Sequence, residues 1–121
     1  MEPQNCVFCK IASGEIPSKK EYEDDEIFAF HDINPKAPIH VLVIPKKHIP
    51  RLVEVSEDDV EVLGRCQLVA AQVAKKLNIG DAFRVLTASG EAAGQSVFHT
   101  HYHIVGGWQE TPEMEVKKEF P

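Results

Sequence analysis

Three histidines separated by single residues, His99-Thr100-His101-Tyr102-His103, constrain this chain more than any other feature. In a β-strand, successive side chains point to opposite faces. His99, His101 and His103 then share one face, and Phe98, Thr100, Tyr102 and Ile104 share the other. Packing does not account for three imidazoles in a row, because burying them unpaired is costly and β-propensity does not select histidine. Chemistry does. Histidine titrates near about 6.5, so one ring can be a neutral nucleophile while another donates a proton. Imidazole also forms covalent intermediates, including with phosphorus. The competing readings are solvated histidines on an exposed sheet face and a metal-binding tract. Neighbouring same-face positions lie about 6.5–7 Å apart, at a rise of about 3.3 Å per residue, which is wide for three ligands on one small ion. The Gly94-Gln95-Ser96 turn just before the strand can present backbone N–H groups to an anion.

The flanking segments supply a frame for this strand. Residues 26–32 (EIFAFHD) and 40–45 (HVLVIP) read as strands separated by the Asn34-Pro35 turn. Residues 56–78 read as one long helix. Ser56 is placed to cap it, with Asp59 completing an acidic capping box. Glu57, Asp58 and Asp59 suit the positive end of the helix dipole, and Lys75 and Lys76 suit the negative end. Val62, Cys66, Val69, Val73 and Leu77 form its core stripe, and Asn78 and Gly80 stop it. Residues 82–88 and 98–105 read as two more strands, and residues 6–13 as a short helix ending near Gly14 and Pro17. The order predicts an α+β fold: an antiparallel sheet of about five strands, one long helix on one face, and a short N-terminal helix. A single domain over residues 1–121 is expected, with a core at about 5–107 and a tail at 108–121.

Charge narrows the partners. Thirteen Lys and Arg against nineteen Asp and Glu leave a net charge of −6. Such a chain is a poor polyanion binder, so no nucleic acid and no acidic membrane is expected as partner, although a single nucleotide in a local site is compatible. No apolar run approaches the roughly 20 residues of a membrane helix. The first ten residues lack a basic segment followed by an apolar one, so a cytoplasmic protein is expected. Three cysteines, Cys6, Cys9 and Cys66, are an odd, low count that points to a reducing compartment. Cys66 lies on the helix stripe and reads as a small core residue. Cys6-x-x-Cys9 suits either redox or metal chemistry, and unmetalled thiols are the plain alternative. A second pair of ligands would make a tetrahedral S₂N₂ site suited to zinc, with His48 and His99 as candidates. His40 opens the second strand, where it can orient a triad ring or simply cap the strand.

His99-x-His101-x-His103 followed by Ile104-Val105 resembles the H-φ-H-φ-H-φ-φ motif (φ hydrophobic) of the histidine triad, or HIT, superfamily. Phe8-Cys9-Lys10-Ile11, Gly14-Glu15-Ile16-Pro17, Ala29-Phe30-His31-Asp32-Ile33-Asn34-Pro35, Pro38-Ile39-His40, Leu42-Val43-Ile44-Pro45-Lys46-Lys47-His48 and Gly94-Gln95-Ser96-Val97 extend the resemblance, in order, from about residue 6 to 107. Within the superfamily the chain is most similar to the Hint branch of nucleoside phosphoramidases, in a zinc-binding CxxC form.

The resemblance implies attack on the α-phosphorus of AMP conjugates through a covalent nucleotidyl-histidine, which water then hydrolyses. His101 would be the nucleophile and His103 would contact phosphate oxygens. His99 would buttress the site, and His40 would hold the His101 imidazole in its productive tautomer. Ser96 would hydrogen-bond the leaving group. Asp32 matches the carboxylate that takes the ribose hydroxyls, and Ile33 lines the base pocket. Phe8, Ile11, Ile16, Phe30 and Leu42 match the apolar shell around a purine, and Gly94, Gln95 and Ser96 match the phosphate loop. Cys6, Cys9, His48 and His99 would hold a structural zinc, and the chain would form a homodimer. Ala88 departs from the asparagine common in the Hint branch, which weakens the expected hold on phosphate. The tail from Trp108 departs as well, leaving substrate preference open. Dinucleoside polyphosphate hydrolysis, and a low-turnover nucleotide-binding module, are the alternatives.

Overall fold

Every residue from His40 to Pro45 is buried. In the computed structural model, which describes residues 3–111, this run is β3 (Ile39–Pro45). It is the middle of a five-stranded antiparallel sheet. β2 (Ile27–His31) flanks it on one side and β5 (Tyr102–Gly106) on the other. β1 (Lys20–Glu23) and β4 (Phe83–Leu86) form the two edges. A continuous apolar run is what a strand covered on both faces requires.

The two faces have different covers. Val41, Val43, Ile27, Ala29, Tyr102 and Ile104 point to α2 (Val60–Lys76), where Val62, Cys66, Val69 and Val73 meet them. Leu42, Ile44, Phe28 and Phe30 point the other way, to Cys6 and to Phe8 of α1 (Val7–Ser13). The long helix therefore takes one face, and the short helix covers part of the other. The α+β fold expected from the sequence is the one observed. Burial also drives the Cys66 thiol up to about 12, as suits a core residue.

Local chemistry explains the element ends. The Ser56–Asp59 capping box is present in both directions, but the first turn, Glu57–Asp59, is a 3₁₀ turn, so α2 begins at Val60. Gly14 closes α1 in the left-handed region, at φ 88°, where a Cβ would be strained. At the end of β5, a Cβ on Gly106 would lie 2.9 Å from Ile79 Cδ1 and 3.2 Å from Ala82 O, so glycine lets the strand run beneath the turn that follows α2 without displacing Ile79.

Two departures from the sequence reading matter. β1 (KEYE) was not expected. It is a charged edge strand with a bulge between Lys20 and Tyr22, and charge on an edge discourages pairing with other chains. The strand expected over residues 98–105 is ordered into the sheet only from Tyr102. His99 and His101 precede it, because the Thr100 N–H bonds Ile49 O at 2.6 Å, beyond the end of β3. Among the described residues, no helix is long and apolar enough to cross a membrane. The expected tail at 108–121 lies mostly outside the described residues.

Candidate active site and metal cluster

Hydrogen-bond partners fix the proton on each buried histidine ring, through backbone groups for His40, His99 and His101 and through His40 for His103. His101 Nδ1 sits 2.7 Å from the His99 carbonyl oxygen. A carbonyl only accepts, so Nδ1 carries the proton and Nε2 keeps its lone pair. The Lys36 backbone N–H donates to His40 Nδ1 at 3.0 Å, which places the His40 proton on Nε2. That proton is donated to His103 Nδ1 at 2.9 Å, so His103 carries its own proton on Nε2. His101 and His103 lie with ring centroids 5.0 Å apart and hold opposite tautomers: one a base, the other a donor. The sequence reading gave His40 the task of orienting His101. In the structure the His99 carbonyl does that, and His40 orients His103.

Burial keeps these rings neutral. Desolvation lowers the pKa of His101 and His40, and drives His103 down to about 3, with His101 and His40 adding to the effect. A folded-state pKa below the unfolded value means that acid favours the unfolded chain. The contribution of His103 is complete above about pH 6.5 and is lost as pH falls toward 3, and that of His40 is lost in the same direction. Urea titrations between pH 7 and pH 4 should show stability falling by up to about 1.4 kcal/mol per pH unit for each proton taken up. His103→Gln should flatten that slope.

His101 and His103 open onto a cavity of about 410 Å³. Phe8, Ile11, Ile16, Phe30 and Leu42 make its apolar wall, and Asp32, Ile33 and Ser96 stand on its rim and floor. Phe8 packs edge-to-face on His101, with ring centroids 4.9 Å apart. Asp32 Oδ1 accepts from the Asn34 N–H at 2.8 Å, and Oδ2 lies 3.5 Å from His40 Nε2. Asp32, His40 and His103 could be taken for a second metal set. The tautomers argue otherwise, since His40 Nε2 already carries the proton that joins it to His103. A wider hollow along β1 is lined mostly by paired charges, including Lys46 with Glu23 and Lys76 with Glu21, and its lining includes no histidine or cysteine.

His99 turns away from the cavity. Its Nε2–H donates to Pro45 O at 2.7 Å, which leaves the Nδ1 lone pair facing Cys6 Sγ at 3.5 Å, Cys9 Sγ at 3.4 Å and His48 Nδ1 at 3.3 Å. Cys9 Sγ lies 3.3 Å from His48 Nδ1. Metal–sulfur bonds of about 2.3 Å and metal–nitrogen bonds of about 2.05 Å, at tetrahedral angles, separate N from N by about 3.3 Å and S from N by about 3.6 Å. The four donors match that spacing, so they fit a tetrahedral ion of this size. Without an ion, burial and the neighbouring Cys6 push the Cys9 thiol up to about 11, a bias that a bound cation reverses.

Most of the expected site residues thus gather at one cavity and one cluster. His40, His99, Gly94, Gln95 and Ala88 are not part of the cavity lining. Sequence reasoning missed Thr87, whose hydroxyl donates to the His101 carbonyl at 2.7 Å, and Ser18, Asn34 and Lys36 on the cavity wall. A lone Thr or Lys carries no pattern that marks it.

Residues 5–119 match the model of a family described as scavenger mRNA decapping enzyme C-terminal binding. Protein HitA of Neisseria gonorrhoeae is 45% identical over 102 residues, covering 84% of this chain and 95% of HitA. A HIT family hydrolase from Clostridium thermocellum superposes with a TM-score of 0.88 at 46% identity, covering 93% of this chain and 98% of that one. A histidine triad protein from Clostridium difficile gives 0.87 at 44% identity, covering 95% and 100%. With the triad, the sheet and these likenesses in agreement over most of its length, the chain belongs to the histidine triad (HIT) superfamily.

Proposed function

We propose that this protein is a nucleotidyl hydrolase of the nucleoside phosphoramidase kind, acting on AMP conjugates such as purine nucleoside phosphoramidates. One observation carries the reading: His101 and His103 face one cavity in opposite tautomers, the first with a lone pair and the second with a proton. His101 Nε2 attacks the α-phosphorus, and a P–N bond to the ring forms as the bond to the leaving group breaks. The leaving group, hydrogen-bonded by Ser96, takes up one proton from solvent as it departs, and the water that attacks in the second step gives one proton back. His103 Nε2–H stabilises charge on the phosphate oxygens. Water then cleaves the nucleotidyl-histidine, releasing AMP and restoring His101. Release of AMP from adenosine 5′-phosphoramidate tests the reading. Absence of turnover with tight AMP binding would shift it to polyphosphate substrates or to a binding role.

The apolar wall takes the purine and Asp32 takes the ribose hydroxyls. Asp32→Asn should raise KM for the ribonucleotide about 10- to 100-fold with a smaller change in kcat, since a hydrogen bond to a charged group is worth about 1.5–3 kcal/mol. A 2′,3′-dideoxy substrate should show no such difference between the wild type and the variant. Ala88 lies off the cavity, so the phosphate hold falls to Ser96, His103 and backbone N–H groups.

Cys6, Cys9, His48 and His99 would hold a structural zinc, which supplies a closed cross-link and no open coordination site. The chain's own contribution is to tie α1, with Phe8, to the segment bearing His101. A homodimer is supported by β4, an edge strand that leaves Val85 exposed, and by exposed Leu68 on α2. Three free cysteines support a reducing, cytoplasmic location.

A further inference from the structure

Residues 96–101 carry Ser96, His99 and His101 but lie outside every strand of the sheet. Something other than a strand ladder must hold them to the accuracy that catalysis needs, since a misplacement of about 1 Å can cost about 100-fold in rate. Four anchors do so. The Thr100 N–H reaches Ile49 O, His99 Nε2 reaches Pro45 O, the Thr87 hydroxyl reaches His101 O, and the fourth anchor is the side chain of Gln95. This amide is 2% exposed and is not part of the cavity lining. Its Nε2 donates to Pro50 O at 2.7 Å and to Val97 O at 3.0 Å, and its Oε1 accepts from the Gly90 N–H at 2.8 Å. The Gln95 backbone N–H closes the same ring by donating to Gly90 O at 3.1 Å. Both hydrogens and the oxygen are used, each on backbone. One side chain thus joins three stretches: the turn at Gly90, the segment after β3 and the start of the catalytic loop.

We propose that Gln95 is a positioning residue that sets Ser96 and His101 for the phosphoryl transfer without itself touching the phosphate. The inference rests on the hydrolase reading above. An amide of this length is required. A carboxylate keeps the Gly90 bond but loses both donors and faces two carbonyl oxygens, while an apolar isostere loses all three bonds and leaves buried backbone groups unpaired.

The test compares the full-length wild type with Gln95→Glu, and with Gln95→Met as a second variant should the first fail to fold. Three quantities are read: kcat and KM on adenosine 5′-phosphoramidate, the Kd of AMP, and amide hydrogen exchange at residues 96–100 against that of α2. Both variants should lose about 100-fold in kcat, with AMP affinity within about threefold of wild type. Exchange should accelerate at residues 96–100 and not in α2. A loss of AMP affinity equal to the loss of kcat would overturn the inference and make Gln95 a phosphate ligand. Unchanged kcat and exchange would overturn it outright, and faster exchange throughout α2 would reduce Gln95 to general stability. If the wild type itself shows no turnover, the hydrolase reading fails, and the exchange data alone then decide whether Gln95 holds the loop.

Discussion

His101→Ala is expected to lower turnover of adenosine 5′-phosphoramidate by about 10⁴-fold or more, the scale seen when a covalent nucleophile is removed. The reason is the fixed tautomer. With Nδ1–H given to the His99 carbonyl, Nε2 is the atom of His101 that can attack, whereas His31, also in the cavity lining, is tied through its Nε2 to Glu21 at 2.8 Å. His103, held as an Nε2–H donor by His40, cannot take over without reversing a two-ring chain of protons. His103→Ala should therefore slow the reaction by a smaller factor and still form the covalent species. AMP affinity of the His101→Ala protein should stay within about tenfold of wild type, because the apolar wall and Asp32 are untouched. Steady-state kinetics and calorimetry on the two variants check all of this. Turnover surviving in His101→Ala would remove the nucleophile from the account.

Cys9→Ser is expected to cost both metal and rigidity. The wild type should contain about one zinc per chain by elemental analysis, and the variant should contain little. A ligand present at a thousand times its Kd adds about 4 kcal/mol to stability. For a chain of this size that corresponds to a fall in Tm of about 15 °C on losing the ion. A strong chelator should reproduce the fall in the wild type, and added zinc should reverse it. Activity should drop as well, through two routes. Phe8, set between the two cysteines, packs on the His101 ring, and His99 offers the carbonyl that orients His101. A wild-type protein free of zinc, with a Tm indifferent to chelator, would contradict the cluster's assignment.

The sequence was legible where a pattern is local. The α2 stripe repeats at helical spacing and β3 is a bounded apolar run, so β3 was readable to within a residue and α2 except at its start, where the capped first turn is 3₁₀ and the α-helix begins only at Val60. β1 was not, because KEYE has no strand-like composition and owes its conformation to pairing with β2. The triad was legible as a set of residues but not as a geometry. Strict alternation predicts three histidines on one strand, yet the Thr100–Ile49 bond and the Gln95 amide hold the first two off the sheet. His99 then turns to the cysteines, 93 residues from Cys6 in the chain, a distance over which spacing carries no signal. Which ring His40 serves was also beyond the sequence, since it depends on the register that pairs Leu42 with His103.

The most direct measurement is a rapid alkaline-denaturation quench of the wild-type protein, mixed briefly with adenosine 5′-phosphoramidate and analysed by intact mass and peptide mapping at alkaline pH, which preserves P–N bonds. The account predicts one AMP adduct per chain, acid-labile, on the peptide bearing His101, and absent from His101→Ala. AMP released with no adduct at any quench time, or an adduct on another residue, would contradict covalent catalysis by His101.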